Sequence, residues 1–187
     1  MRKLAILLLL MAVGACHPRS PWWTTTNSYY PPAAPLDSIV ASVHHQYDTY
    51  RSLRHSIPLP LASSIRVAAT HHSIPLPIAF SLVHVESRFK PEALSYAGAI
   101  GLTQVMPKTG LTHCSLQRNH LWEKDANLRC GFSYLRMLHN RLGDWEVALA
   151  SYNVGDARRR RAPLTGEPDG SHYASLVLSL ADQTSQQ

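Results

Sequence analysis

The amino-acid sequence predicts an all-α domain over residues 37–187, on the strength of three observations. Apolar residues recur at helical spacing in several separate stretches of the chain. Glycine and proline stand between these stretches, where they end one helix and allow the next to begin. No convincing stretch alternates apolar and polar residues, as a half-buried strand would. With 187 residues, the chain is long enough for one such domain and for further segments.

The N-terminus has the pattern of a secretory signal. Residues 1–15 begin with basic residues, continue in an apolar run that is too short to span a bilayer permanently, and end in small residues. The sequence Val-Gly-Ala-Cys at 13–16 resembles the lipobox of bacterial lipoproteins, which implies cleavage before Cys16 and lipid modification of this cysteine. The alternative is an ordinary cleaved signal with a chance cysteine. Residues 17–36 contain five prolines among Ser, Thr and aromatic residues, which is typical of a tether.

The first helices of the domain follow from a cap and from prolines. Asp37 or Ser38 can cap a helix that carries apolar residues on one side. The sequence His-Ser-Ile-Pro-Leu-Pro then occurs twice, and each Pro-x-Pro ends one helix and lets another begin. We therefore expect helices over residues 61–72 and 77–88.

The later helices follow from spacing. After Gly98 and Gly101 we expect a short apolar helix that stops at Pro107. The four arginines at 158–161 are interpreted as a solvated loop, with a dedicated anion-binding patch as the alternative. Apolar residues at core spacing predict three more helices, over 126–142, 145–152 and 171–181.

Charge and cysteine count bound the class of protein. The formal net charge of +6 fits an anionic partner such as cell-wall polymer, membrane phosphate or nucleic acid, without choosing among them. Of the three cysteines, a lipidated Cys16 leaves Cys114 and Cys130 as a pair in an exported protein. This favours a disulfide, which would contribute about 3 kcal/mol. The alternatives are two free thiols, or a zinc site with His113 and His120, although that spacing matches no familiar zinc pattern.

One acid stands among apolar positions. If residues 80–89 are read as a helix, Glu86 lies on the face that carries Leu82 and Val83. A carboxylate there loses hydration, which is costly unless the group is neutralised or paired. Its pKa should therefore rise, and a raised pKa keeps the proton in place at neutral pH, as a general acid requires. The alternative is a salt bridge, to Arg88 or to a distant arginine.

Three blocks of sequence occur in the order VESRFKPEALSYAGAIGLTQVMPKTG, NLRCGFSYL and ALASYNVG. Together they closely resemble the transglycosylase SLT family, the soluble-type lytic transglycosylases, over roughly residues 60–180. The resemblance implies a lysozyme-like (goose-type) helical fold with a substrate cleft. It also implies cleavage of the β-1,4 bond between N-acetylmuramic acid and N-acetylglucosamine in peptidoglycan, with a 1,6-anhydromuramic end as product. Neither a cofactor nor a metal is expected, and the eleven histidines are interpreted as solvated or locally bonded.

The resemblance also assigns residues to roles. The catalytic glutamate of the family is the one in the Glu-Ser pair, which is Glu86 here. It would protonate the glycosidic oxygen and then take a proton from the C6 hydroxyl of the sugar, so that no second carboxylate is needed. Thr103 stands where the family has methionine, which predicts the loss of a flexible apolar contact to the sugar. Five residues are assigned to substrate binding: Ser95, Gln104, Tyr152, Asn153 and Tyr173.

The expected location and partners combine both resemblances. The lipobox predicts a lipid-anchored protein of the bacterial envelope that faces the periplasm, and His17 after Cys16, in place of aspartate, favours the outer membrane. The expected partners are peptidoglycan glycan strands, the membrane and a secretion, conjugation or pilus machine, but not nucleic acid. Two alternative functions stay open: a hydrolytic muramidase, and a non-catalytic peptidoglycan-binding accessory protein.

Overall fold

The computed structural model describes residues 35–185 of the chain. The predictions for the secretory signal, for Cys16 and for nearly all of the tether lie outside the described residues. Within residues 35–185 the all-α prediction is confirmed, since two isolated β-bridges are the only extended pairings there. The elements in chain order are α1 Leu36–His55, α2 Leu59–His71, α3 Leu76–Ser87, α4 Pro107–Cys114, a 3-10 helix Arg118–Trp122, α5 Lys124–Leu142, α6 Trp145–Val154, α7 Asp156–Thr165 and α8 Ser171–Ser185.

Prolines begin α2 and α3, as the repeated motif predicts. Pro58 and Pro75 precede these helices with extended ψ angles of 137° and 128°. Each helix carries a further proline in its first turn. A backbone N–H in the first turn has no acceptor within the helix, so proline loses no helical hydrogen bond there. The helices α2, α3, α5 and α6 begin and end close to their predicted bounds, whereas α8 continues beyond residue 181 to Ser185.

The expected short helix before Pro107 is wrong. Residues 94–105 instead form tight turns that are held by the two isolated β-bridges. Gln104, which lies within the expected helix, has a φ angle of 46°, which a right-handed helix excludes. Pro107 begins α4 and does not end a helix, because the first turn of a helix has no use for the N–H that proline lacks.

The four arginines at 158–161 lie in α7, so their interpretation as a loop is also wrong. Asp156 in the first turn of α7 pairs with Arg159 and Arg160 at i,i+3 and i,i+4 spacing, and with Arg141 of α5. A negative charge near the N-terminus and side-chain pairs at this spacing both stabilise a helix. These charges hold α7 together although it carries no continuous apolar stripe.

The core gathers around α3. Phe80, Leu82 and Val83 are fully buried where α3 packs against α2 and α8. Helix α5 packs against α2 and α6 and adds Phe132 and Leu135 to the same core. Helix α8 contacts α6 as well as α3, so these three helices meet beside the C-terminal end of α3. In the described range 35–185, the helices lack the combination of length and apolar character that crossing a bilayer requires.

Candidate active site

Glu86 lies at the point where α3 leaves the core. It is the residue before the last of α3 and follows the fully buried Leu82 and Val83 by about one turn. Its side chain is partly buried. Directly after the helix, Arg88 and Phe89 adopt φ angles of 51° and 61°, so the chain turns away sharply. The end of α3 therefore presents one carboxyl group at the boundary between core and solvent.

The carboxyl group of Glu86 is partly shielded from water and accepts a hydrogen bond from a tyrosine. Burial raises the pKa of Glu86 from 4.5 to about 7, and the hydrogen bond from Tyr173 offsets part of the rise. The two oxygens, Tyr173 Oη and Glu86 Oε1, lie 2.5 Å apart. Within residues 35–185 Glu86 forms no ion pair, so the salt bridge considered from the sequence is absent. Near neutral pH the group is present in both forms, and it can therefore give and take a proton.

Two tyrosines lie near Glu86: Tyr173 of α8 contacts it directly, and Tyr152 of α6 lies close enough for the charge of Glu86 to act on its hydroxyl. Burial raises the pKa of both phenols well above their ordinary value, and the negative charge of Glu86 adds to the rise. Both hydroxyls therefore keep their protons at neutral pH. The hydroxyl of Tyr152 donates to the backbone carbonyl of Thr103 at 2.7 Å. The ring of Tyr152 packs against that of Tyr134, with centroids 5.6 Å apart.

Gln104 reaches the neighbouring cleft from a strained loop position. Its φ is 46°, and its side-chain nitrogen donates to the carbonyls of Ala93 at 3.2 Å and Gly101 at 2.9 Å. Because both partners are carbonyls, the nitrogen and oxygen of the amide are distinguished, and Oε1 is left to accept from a ligand. Gln104, Tyr152 and the exposed Asn153 line one cavity of about 200 Å³. These three predicted site residues thus share one cleft.

Ser95 is held within its own turn. Its Oγ accepts from the backbone N–H of Ala99 at 2.9 Å, and its own N–H donates to the carbonyl of Ala99 at 3.0 Å. Among the described residues it makes no contact with Glu86, and it does not line the cleft cavity. Its observed contacts are those of a serine that stabilises a turn.

Thr103 and Asn127 form a buried contact that sequence reasoning missed. Thr103 is 0% exposed and Asn127 is 1% exposed. The Thr103 hydroxyl donates to Asn127 Oδ1 of α5 at 2.8 Å, so this side chain points into the protein and is not available to a sugar. The signal in the sequence was Asn127 together with Gly131, both within the block NLRCGFSYL. A Cβ at Gly131 would lie 2.2 Å from Thr103 Oγ1, so only glycine allows this approach.

Cys114 and Cys130 are joined in a disulfide that links α4 to α5, with their Cα atoms 5.7 Å apart. Both sulfurs are therefore engaged, and the alternative zinc site with His113 and His120 has no thiolate to offer. His113 bonds Ser133 Oγ at 3.1 Å instead. Over the described part of the chain, no three His, Cys, Asp or Glu side chains gather in a way that could hold a metal ion.

The geometry supplies one titratable carboxyl group with two neutral phenols near it, and one of these phenols, that of Tyr152, also lines the cleft cavity. Within residues 35–185 no second carboxylate contributes to the pKa of Glu86. A pair of carboxylates, as most glycosidases use, is therefore not assembled around this group. The site can transfer a proton through Glu86 and can bind polar groups through Gln104, Asn153 and the tyrosines.

Comparison with known proteins identifies relatives of this chain. The transglycosylase SLT domain family matches residues 63–169. Membrane-bound lytic murein transglycosylase D of Escherichia coli (strain K12) is 33% identical over 106 residues, which cover 54% of this chain and 24% of that protein. Membrane-bound lytic murein transglycosylase C of Haemophilus ducreyi is 31% identical over 135 residues, which cover 68% of this chain and 34% of that protein. The chain thus spans about a quarter to a third of the length of these curated relatives.

Solved structures show the same fold. Lytic transglycosylase Slt from Pseudomonas aeruginosa, solved as an inactive mutant, superposes with a TM-score of 0.55 at 26% identity over 64% of this chain and 23% of that chain. The 70-kDa soluble lytic transglycosylase from Escherichia coli superposes with a TM-score of 0.55 at 20% identity over 74% of this chain and 29% of that chain. The predicted lysozyme-like helical fold of this family, with its substrate cleft, is confirmed.

Proposed function

The chain belongs to the transglycosylase SLT domain family, and we propose that it is a lytic transglycosylase of peptidoglycan. Its reaction would cleave the β-1,4 bond between N-acetylmuramic acid and N-acetylglucosamine and leave 1,6-anhydromuramic ends. The observation that carries this proposal is Glu86, a single carboxyl group that accepts a hydrogen bond from Tyr173 and whose pKa burial raises to about 7. The curated relatives named above are called lytic murein transglycosylases, which supports the same reaction.

The proposed mechanism uses Glu86 twice. In its protonated form Glu86 gives its proton to the glycosidic oxygen as the bond to C1 of the muramic acid breaks, and the N-acetylglucosamine leaves with a hydroxyl group. The Glu86 carboxylate then takes the proton of the C6 hydroxyl while O6 bonds to C1. The attacking oxygen belongs to the same sugar, so proximity replaces a second carboxylate and an external water. The proton returns to Glu86, and no water enters the product.

The neighbouring side chains would hold the sugar and the acid in place. We propose that Tyr173 stabilises the carboxylate that forms after proton donation, because its hydroxyl already donates to Glu86 Oε1 at 2.5 Å. Gln104 and Asn153 would bind acetamido or hydroxyl groups of the glycan from the cleft wall. The role of Ser95 would be to hold the turn at residues 95–99, which precedes the turn that carries Gln104, since the contacts of Ser95 lie inside residues 95–99.

The location of the protein is proposed from the sequence. Residues 1–15 would act as a secretory signal, Cys16 would carry lipid, residues 17–36 would form the tether, and residues 37–187 would form the catalytic domain. This arrangement would hold the domain on the periplasmic side of a membrane, with the outer membrane favoured, within reach of glycan strands. Several relatives are named membrane-bound, which agrees with an envelope location. A secretion, conjugation or pilus machine would be a further partner.

The test is the chemistry of the products. The purified protein is incubated with peptidoglycan, and released fragments are analysed by mass spectrometry, in which anhydro and reducing ends differ by one water. We expect anhydromuropeptides from the wild type and none from Glu86→Gln, with unchanged circular dichroism. Glu146→Gln provides a matched control, because Glu146 is an exposed residue in the first turn of α6. Reducing muramic ends would favour a hydrolytic muramidase, and intact strands that stay bound would favour a non-catalytic accessory protein.

A further inference from the structure

We propose that Thr103 and Asn127 are positioning residues for the acid. They fix the backbone carbonyl of Thr103 so that it takes the hydroxyl proton of Tyr152, and Tyr152 can then face Glu86 only as a hydrogen-bond acceptor. The two tyrosines beside Glu86 thereby serve opposite protonation states of the carboxyl group. This inference rests on the proposed function of Glu86 as an acid that must first be protonated.

Asn127 uses its whole side-chain amide to hold the loop that carries Thr103. Its Oδ1 accepts from the backbone N–H of Thr103 at 2.9 Å and from the Thr103 hydroxyl at 2.8 Å. Its Nδ2 donates to the carbonyls of Ile100 at 2.8 Å and Leu121 at 2.9 Å. Because these partners are carbonyls on one side and donors on the other, the orientation of the amide is fixed. One side chain of α5 thus anchors the loop on both sides of Gly101.

The direction of the Tyr152 hydroxyl follows from its partner. The Thr103 carbonyl lies 2.7 Å from Tyr152 Oη and has no proton to give, so the tyrosine must be the donor. A phenol has one proton, and this bond uses it. Toward Glu86 or a hydroxyl of the substrate, the Tyr152 oxygen can therefore only accept a hydrogen bond through its lone pairs.

Two glycines make room for this contact. A Cβ at Gly131 of α5 would lie 2.2 Å from Thr103 Oγ1 and 2.9 Å from Tyr152 Oη. A Cβ at Gly101 would lie 2.4 Å from Asn127 Nδ2, and Gly101 also has a φ of +75° that favours glycine. The backbone on both sides of the network is therefore shaped to bring Thr103, Asn127 and Tyr152 together.

Tyr173 has the opposite arrangement. Its hydroxyl donates to Glu86 Oε1, and a donor stabilises the carboxylate. An acceptor beside the same group stabilises the protonated acid, and that is the role left to Tyr152. Tyr173 of α8 contacts Glu86 directly, and Tyr152 of α6 lies close enough for the negative charge of Glu86 to raise the pKa of its hydroxyl. If the Thr103 carbonyl turned away, the Tyr152 proton could rotate toward Glu86, and both tyrosines would then favour the carboxylate.

The experiment compares Thr103→Val, Thr103→Ser and Tyr152→Phe with the wild type. Valine has nearly the shape of threonine but loses the hydroxyl that bonds Asn127, and serine restores that hydroxyl. We expect Thr103→Val to lower kcat by about tenfold with KM changed by less than about twofold, since small misplacements near reacting groups cost this much. We expect Thr103→Ser to stay within about twofold of the wild type.

The titration of Glu86, followed by ¹³C NMR of labelled glutamate carboxyls, distinguishes a positioning role from a purely structural one. A purely structural role would leave the pKa of Glu86 unchanged. We expect the pKa of Glu86 to fall in Thr103→Val and in Tyr152→Phe, and to return in Thr103→Ser. A Thr103→Val protein that melts earlier but keeps the wild-type pKa and kcat would overturn the inference. So would a Tyr152→Phe protein with an unchanged Glu86 titration, and this second variant leaves the bonds of Thr103 to Asn127 intact.

Failure of this inference can be told from failure of the proposed function. If the wild type releases no glycan fragments, the proposed function fails, yet the NMR titrations of the three variants still decide the role of Thr103. If the wild type is active and all three variants share its pH profile, only the positioning role is refuted.

Discussion

Replacement of Glu86 by glutamine is expected to stabilise the folded protein, and to do so only above acidic pH. Burial raises the pKa of Glu86 from 4.5 to about 7. Between these two values the folded protein holds a proton that the unfolded chain has already released, so the free energy of unfolding falls as the pH rises through this range. Each tenfold difference in ionisation corresponds to about 1.36 kcal/mol. The ionised Glu86 therefore costs about 3 kcal/mol of stability above pH 7.

Glutamine removes this charge and keeps the shape of the side chain. Its amide oxygen can still accept the hydrogen bond from Tyr173. Because Glu86 is only partly buried, water reduces the cost of its charge, and we expect Glu86→Gln to be more stable than the wild type by about 2 kcal/mol near pH 8. Near pH 4 both states of the wild type are largely protonated, and the two proteins should unfold alike.

The assay is urea unfolding followed by far-UV circular dichroism, repeated across this pH range. The exposed Glu146→Gln variant should show no such pH dependence relative to the wild type. A Glu86→Gln protein that is no more stable than the wild type near pH 8 would show that the charge of Glu86 does not destabilise the fold. A carboxylate that ionises as it does in water makes no pH-dependent contribution to the free energy of unfolding.

Three other perturbations test separate parts of the structure. Tyr173→Phe removes the donor to Glu86 and should raise the pKa of that acid, so the loss of activity at alkaline pH should begin at higher pH in the kcat profile. Changing Cys114 and Cys130 to serine together should lower the free energy of unfolding by about 3 kcal/mol, as measured by urea unfolding under oxidising conditions. Asp156→Asn should lower the free energy of unfolding by about 2 kcal/mol and reduce the helix content of α7, because three arginines lose the buried carboxylate that they share.

Features that depend on nearby residues could be predicted from the sequence. The position of Glu86 on the buried face depends only on Leu82 and Val83, one turn earlier in the same helix. The starts of α2 and α3 depend on prolines within those helices, and the missing N–H of proline acts at its own position. Local sequence patterns therefore predict most of the helices and the position of Glu86 on a buried face, whereas the catalytic role of Glu86 was assigned from the resemblance to the transglycosylase SLT family.

Features that depend on distant residues could not be predicted. The side chain of Thr103 faces Asn127, a residue 24 positions away, and no local pattern states which way a loop side chain points. Pro107 can either end a helix or begin one, and the turns that precede it decide the choice. The arginines of α7 have no apolar period, and the ion pair that joins this helix to the rest of the fold links Asp156 to Arg141 of α5, 15 positions earlier.

Whether Glu86 holds a proton at neutral pH can be measured by titration of its carboxyl carbon in the wild-type protein. ¹³C NMR of glutamate-labelled protein, with the Glu86 signal identified by its absence in Glu86→Gln, gives the pKa of this one group. We expect a midpoint at about 7. A midpoint near the ordinary 4.5 would contradict this expectation, since the acid would then hold no proton to donate at neutral pH.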